Sequence, residues 1–417
     1  MLAQTCFQQG FLRLVTSEGR SLVDPMESLQ AAGLQEEDNL TAIARQAQLA
    51  ATFGAFALWC SGGDKLITWG HPGWDGDSSA VQDRLSKVQQ VKASSSAFAA
   101  TLADGSVVTW GDPDHGGDSS AVQHRLRNVQ QIQATYRAFA ALLADGSVVT
   151  WGNARDGGDS SEVQHQLKNV QQIQAAAQGA FAAILGDGSI VTWGDPDCGG
   201  TRSKVVQCQI LNVQQVRGNA CAFAALLTDE TVVAWGDAHF GGDISQVREQ
   251  LRNVKHIQAT ASAFAAILAD GSVVTWGNTR CGGDSSGAQD QLRNVQHIQA
   301  TDSAFAAILA DGSVVTWGDT HCGGDSSAVQ DQLRNAQQVK ASHAAFAAIL
   351  SDRSVVSWGD AHFGGDSSQV QDQLKNVQQV AGGHAAFAAV IADGSVVTWQ
   401  GRNFSDSSGL REQLLFL

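Results

Sequence analysis

The sequence predicts an all-β protein, a β-propeller of nine repeats of about 41 residues, each with three antiparallel strands and a short helical return strap. Three observations carry this expectation. Tryptophans recur at Trp69, Trp110, Trp151, Trp193, Trp235, Trp276, Trp317, Trp358 and Trp399, 41 or 42 residues apart. Each closes a short apolar run that follows a turn, typically Asp-Gly. The chain also holds 44 Gly against 4 Pro, which suits many tight turns rather than disordered linkers. Sheets with two apolar faces bury both most simply by stacking around an axis, and an antiparallel solenoid is the other stack that such units can build.

The units align as "NVQQIQAT-xx-AFAAILADGSVVTWGD-xxx-GGDSSAVQDQLR". The three apolar runs, "VQQIQA", "AFAAIL" and "SVVTW", are strand-length and too short for independent helices. "ADGS" joins the second run to the third as a hairpin, because Gly accepts the positive φ that such turns need. Little polar alternation in those two runs implies that both sheet faces are covered. Between the third run and the next unit, Asp-Ser-Ser offers a cap, and Val122, Leu126 and Val129 fall at helical spacing, which predicts the helical strap. The last strap ends in Leu410, Leu414, Leu415 and Phe416, expected to close the ring against Leu49.

Bulk composition narrows the function. With 26 Lys and Arg against 41 Asp and Glu, the net charge of −15 argues against a nucleic-acid partner. No run approaches the roughly 18 apolar residues of a membrane span. Seven scattered cysteines and no visible leader point to a reduced, intracellular protein, cytoplasmic or nuclear, and a monomer. Cys198, Cys281 and Cys322 share one position in three units and read as neutral loop thiols, since equivalent places a blade apart cannot share a zinc ion. One Asp per "GGDSS" caps the strap and is too few for calcium. The repeated Trp reads as packing between sheets. No catalytic constellation or cofactor motif is found, so neither an enzyme, a cofactor nor a metal is expected.

The "DGSVVTWGD...GG" core with its "AFAA" strand resembles the repeats of the regulator of chromosome condensation family, and its compact period resembles the short-bladed members. The resemblance runs over residues 46–417, with "GGDSS" where the family has "GQLG". It implies a propeller, usually of seven blades. Residues 1–45 resemble the second half of a ubiquitin-like domain, through Gly19, Leu22, Asp24, Leu29, Gly33, Leu34, Leu40 and Ile43 in "RLVTSEGRSLVDPMESLQAAGLQEEDNLTAIA". Such a half-domain cannot close its own core, so it is expected to be dispensable for propeller folding.

Variation is confined to two windows per unit. The residues after the first strand read "SSS" at 94, "TYR" at 135, "TAS" at 260, "TDS" at 301, "SHA" at 342 and "GHA" at 383. Those beyond TWG read "PDH" at 113, "ARD" at 154, "PDC" at 196, "AHF" at 238, "TRC" at 279, "THC" at 320 and "AHF" at 361. Chain direction puts both windows at one end of the blades and every "ADGS" turn at the other. His115, Tyr136, Arg137, Arg155, His239, Phe240, Arg280, His321, His343, His362, Phe363 and His384 are therefore expected to form a protein-binding face, with neutral drift after duplication as the competing account. The resemblance adds a role in ubiquitin signalling, because giant HECT-type ligases carry such propellers. Its alternative is guanine-nucleotide exchange on a small GTPase.

Overall fold

The computed structural model describes residues 12–16, 21–22, 40–44, 47–52, 54–60, 66–70, 76–200, 210–383, 386–392 and 395–400. Nine three-stranded antiparallel sheets follow one another, and in each the middle strand pairs with the first and the last. They are numbered here as blades one to nine, from residues 47–70 to residues 377–400. Blade two consists of Val88–Ala93, Ala97–Leu102 and Val107–Gly111. A further antiparallel sheet, Leu12–Thr16 flanked by Ser21–Leu22 and Leu40–Ala44, precedes blade one. His384 and the proposed closing residues 410–417 lie outside the described residues.

The hairpin turns form as their sequence requires. Gly105 takes φ +75°, and Asp104 accepts from the Ser106 amide at 2.9 Å and its hydroxyl at 2.6 Å. That hydroxyl, followed by the amide, holds the Asp104 carboxyl below its ordinary pKa. The middle strand then enters a continuous core, with Ala97, Phe98, Ala99 and Ala100 all fully buried. Alanine on both faces lets the sheets approach closely, and each large side chain fills the resulting gap from one side only.

Successive blades are latched at both ends. At one end Gly116 sits at φ +88°, and a Cβ there would come within 2.6 Å of the Phe139 ring in the next blade. Phe139 stacks on Trp151 with ring centroids 5.2 Å apart, and the Trp151 indole N–H donates to the Gly116 carbonyl at 3.0 Å. The same bond joins Trp193 to Gly157, Trp276 to Gly241, Trp317 to Gly282, Trp358 to Gly323 and Trp399 to Gly364 at 2.9–3.1 Å. At the other end the Val129 amide donates to the Gly105 carbonyl at 2.9 Å. A Cβ on Gly105 would lie 2.7 Å from Asn128 Cα.

The return straps differ from the helix expected of them. They are single turns and short 3-10 segments, such as Ser79–Arg84, Gln123–Arg125 and Ser327–Val329, with the expected Asp cap in place at the strap's start, where Asp77, Asp118 and Asp325 each accept from the amide two residues on at 2.8 Å. The side chains explain this. Ser119 bonds Thr109 at 3.0 Å and donates to Gln123 at 2.9 Å instead of capping an amide, and Gln123 donates to the Val107 carbonyl at 2.9 Å. The strap is thus tied sideways to the last strand, where an amide ladder along its own axis would be needed for a helix. Blade five replaces all three partners together, with Ala234, Ile244 and Arg248 at these positions, and Ile244 is buried. No half-satisfied polar group is left behind.

The latch predicts a sharp contrast between two glycines of one unit. Gly282→Ala places a methyl 2.6 Å from the Phe305 ring at φ +91°, whereas Gly287 has nothing within 4 Å of a Cβ. Denaturant titration should show Gly282→Ala destabilised by more than about 1 kcal/mol, with Gly287→Ala unchanged or slightly stabilised.

Candidate functional site

The two variable windows of each unit meet at one end of the blade, as chain direction implies. Side chains of the loop after the first strand donate to carbonyls of the turn after the last. Ser94 reaches His115 at 2.9 Å, Thr135 reaches Asp156 at 3.0 Å, and Ser342 reaches Phe363 at 2.8 Å. Asn219 does the same to Phe240 at 2.6 Å. The turns themselves are capped by the residue after TWG. Asp112 accepts from the Asp114 amide, Asn153 from Arg155, and Asp360 from His362. A left-handed glycine ends each 3-10 turn, as Gly116 and Gly364 do.

This turn sorts its residues by direction, a distinction the sequence does not display. The middle residue points outward: the side chains of Arg155, His239 and His321 are 74%, 90% and 91% exposed, and Arg280 and His362 are exposed with them. The last residue turns inward. His115 and Asp156 side chains are only 22% and 12% exposed, and Phe240 and Phe363 pack on the cores beneath them. The two phenylalanines therefore support the rim rather than project from it.

Three of the predicted residues, Arg137, Arg155 and His115, converge around a carboxylate outside the predicted set. Asp156 has Arg137 at 4.0 Å, and the charges of Arg137, Asp195, Arg155 and His115 all act on it. Burial raises the Asp156 pKa, and the Arg137 guanidinium opposes that rise. Arg155 also donates to Asp195 Oδ2 at 3.1 Å, joining the turns of blades three and four. His115, Arg137, Asp156, Arg155 and Asp195 thus make one charged patch over blades two to four. Asp156 was visible as the last letter of "ARD", but only its inward direction reveals its part.

A second cluster lies where the loops after the first strands face one another. Their backbones form a ladder: Ser95 N–H donates to Tyr136 O at 3.0 Å, Ala261 N–H to Asp302 O at 2.9 Å, and Asp302 N–H to His343 O at 3.0 Å. Burial, and after it the Asp302 charge, raise the Tyr136 pKa. His343 Nδ1 lies 2.8 Å from Asp302 Oδ2, and its ring sits 5.0 Å from that of Phe363. The bond to Asp302 holds the His343 imidazole above its ordinary pKa, against the effect of burial. Tyr136, His343 and Phe363 are brought together here, and Asp302 is again an addition to the predicted set.

One cysteine departs from expectation. Cys198 is not a neutral loop thiol but is disulfide-bonded to Cys221, joining blades four and five. Sequence spacing pointed to Cys281 and Cys322 as its equivalents, yet its partner stands at the position that other units fill with Ser96 or Arg137. Both sulfurs are buried at the base of the inward turn. Cys281 and Cys322 are free.

No protein-family model matches the chain, and no curated protein does. Among solved structures it is similar to Saccharomyces cerevisiae Prp20p, studied for its binding to Gsp1p and histones, at 15% identity over 81% of this chain and 88% of that one, with a TM-score of 0.42. It is also similar to human WBSCR16, at 15% identity over 58% of this chain and 79% of that one, TM-score 0.39. The ectodomain of the Arabidopsis thaliana receptor kinase ACR4 gives 17% identity over 75% and 94%, TM-score 0.35. The propeller assignment rests on the nine blades themselves.

The Asp302–His343 pair predicts a signed pH effect. A raised folded pKa makes its stabilisation fully present below the ordinary histidine range and lost as pH rises through the folded value. NMR titration of the His343 ring should show its pKa fall in Asp302→Asn, with this part of the pH dependence of stability removed.

Proposed function

We propose that the loop-bearing end of the blades is a docking face for another protein and performs no catalysis. One observation carries the reading: the side-chain variation of the repeat is gathered by hydrogen bonds onto a single end, where guanidinium, imidazole and phenol groups are presented on a latched frame. Arg and Tyr are the side chains that most often anchor protein contacts. The charged patch around Asp156 and the cluster of Tyr136, Asp302 and His343 are its two centres.

We further infer that the chain is a divergent repeat propeller of the chromosome-condensation type working in ubiquitin signalling. The antiparallel pairing of Leu14 with Leu22 and of Leu12 with Ala44 supports the ubiquitin-like reading of the N-terminal segment. The partner would then be a substrate or regulator held by the propeller. No structural feature favours nucleotide exchange over this role.

The reading is tested by crosslinking-based partner capture followed by affinity measurement on the partner recovered. Replacing Tyr136, Arg137 and Arg155 by Ala should weaken binding by about 1 kcal/mol or more per true anchor. Ser106→Ala and Ser147→Ala, at the opposite turns, should leave it unchanged. Loss of binding through the opposite turns alone would refute the assignment.

A further inference from the structure

The turn of blade four, Pro196–Cys198, is held from two sides. Asp195 opens it: one carboxylate oxygen accepts from the Asp197 amide at 3.0 Å, and the other accepts from Arg155 of blade three at 3.1 Å. Cys198 closes it and is bonded through sulfur to Cys221 of blade five. One short turn thus connects a member of the charged patch to a covalent bond with the next blade.

The two cysteines occupy positions that meet across a junction. One junction earlier the same positions hold Asp156 and Gly179, and a Cβ on Gly179 would lie 3.1 Å from Asp156 Oδ1. Cys281 and Cys322 repeat the first position, but Ser303 and Ala344 stand at the second, and both thiols are free. The junction of blades four and five is also the one that most needs its sulfur bond. Among the described residues, it is the only junction from blade two onward whose indole does not bond the glycine of the preceding turn. Gly199 takes φ +90° as its equivalents do, yet Trp235 Nε1 is buried without a partner. Reduction of the disulfide would leave this junction with neither bond.

We propose that Cys198 and Cys221 form a redox-operated joint: as a disulfide they hold the turn and keep Asp195 on Arg155, and as two thiols they release both. Reduction consumes two molecules of a glutathione-type monothiol. The first, as thiolate, attacks one cysteine sulfur; the S–S bond breaks, leaving a mixed disulfide and the other cysteine as thiolate. The second attacks the external sulfur of the mixed disulfide. The two monothiols leave as their own disulfide, and the two cysteines take up the two protons and two electrons they gave. Both sulfurs are buried, so attack requires the junction to open locally, and the missing indole bond makes this the junction that opens most readily. Any consequence for a partner rests on the docking reading above, because Arg155 is one of its anchors; the response of the joint itself does not.

The test is NMR of the full chain, without any partner, titrated through mixtures of reduced and oxidised glutathione while the Arg155 Nε–H and the tryptophan indoles are followed. Asp195→Asn supplies the reference for a released Arg155, since Asn153 and Asn278 cap the same turn in other blades. Reduction should carry the Arg155 signal toward its position in Asp195→Asn and speed exchange of the Trp235 indole at least about tenfold, with Trp193 and Trp276 unchanged. Reoxidation should reverse both. The double variant Cys198→Ser, Cys221→Ser should resemble the reduced chain and ignore the mixture; should it fail to fold, the titration of the wild type still decides. An Arg155 signal unmoved by reduction would make the disulfide a plain cross-link and overturn the proposal, as would a pair that stays oxidised at every glutathione ratio. Loss of protection at all the indoles together would mean that the bond holds the whole stack rather than this joint, and would overturn it as well.

Discussion

Everything in this molecule hangs on the contact between a left-handed glycine and the aromatic pair of the next blade. Gly116 can lie on the Phe139 ring only because it has no Cβ, and the carbonyl it thereby exposes is the acceptor for the Trp151 indole. Glycine, phenylalanine and tryptophan are thus three parts of one joint, with two of them in one unit and one in the unit before. Buried indole N–H groups are costly when unpaired. The joint consequently constrains the distance from each turn to the next blade, and the repeat length follows from it.

The joint also explains where the chain can vary. At the end carrying the loops, neighbouring units bond through backbone, as Tyr136 N–H does to Ala177 O at 2.6 Å, so side chains there can vary between units, even though some of them, such as Arg155 with Asp195 and Cys198 with Cys221, also join blades. At the opposite end, Gly105 lies against Asn128 itself, and most turns there are Asp-Gly, with Glu230 and Arg353 taking the glycine's place at positive φ in two blades. The near-uniformity at that end has a structural cause. What distinguishes the variable end is therefore what it presents, a buried carboxylate among arginines and an imidazole–carboxylate pair beside a phenol, more than its contrast with the other end.

Period, strand order, hairpin turns and the convergence of the two windows were legible because each depends on residues close in sequence. What was hidden depends on tertiary partners. Val122 and Leu126 have helical spacing, yet Ser119 and Gln123 find partners in the last strand and the strap folds as turns. Cys198 aligns with Cys281 and Cys322, but its partner Cys221 occupies a position held by other residue types elsewhere. Phe240 and Phe363 look like exposed anchors beside a histidine until the turn directs His239 and His362 outward and the rings inward. Asp156 and Asp302 stood within the variable windows, and nothing local marked them as the centres around which the others gather.

Trp235 provides an internal control for the joint. Its Nε1 is buried without a hydrogen-bond partner among the described residues, and it belongs to the blade that the Cys198–Cys221 disulfide ties to blade four. Hydrogen exchange of the tryptophan indoles, followed by nitrogen-edited NMR, separates the two cases directly. The joint predicts that Trp151, Trp193, Trp276, Trp317, Trp358 and Trp399 exchange much more slowly than Trp235, although all seven are buried. Equal exchange at Trp235 and the six paired indoles would mean that burial alone protects them, contradicting the bond to glycine as the element that holds the blades together.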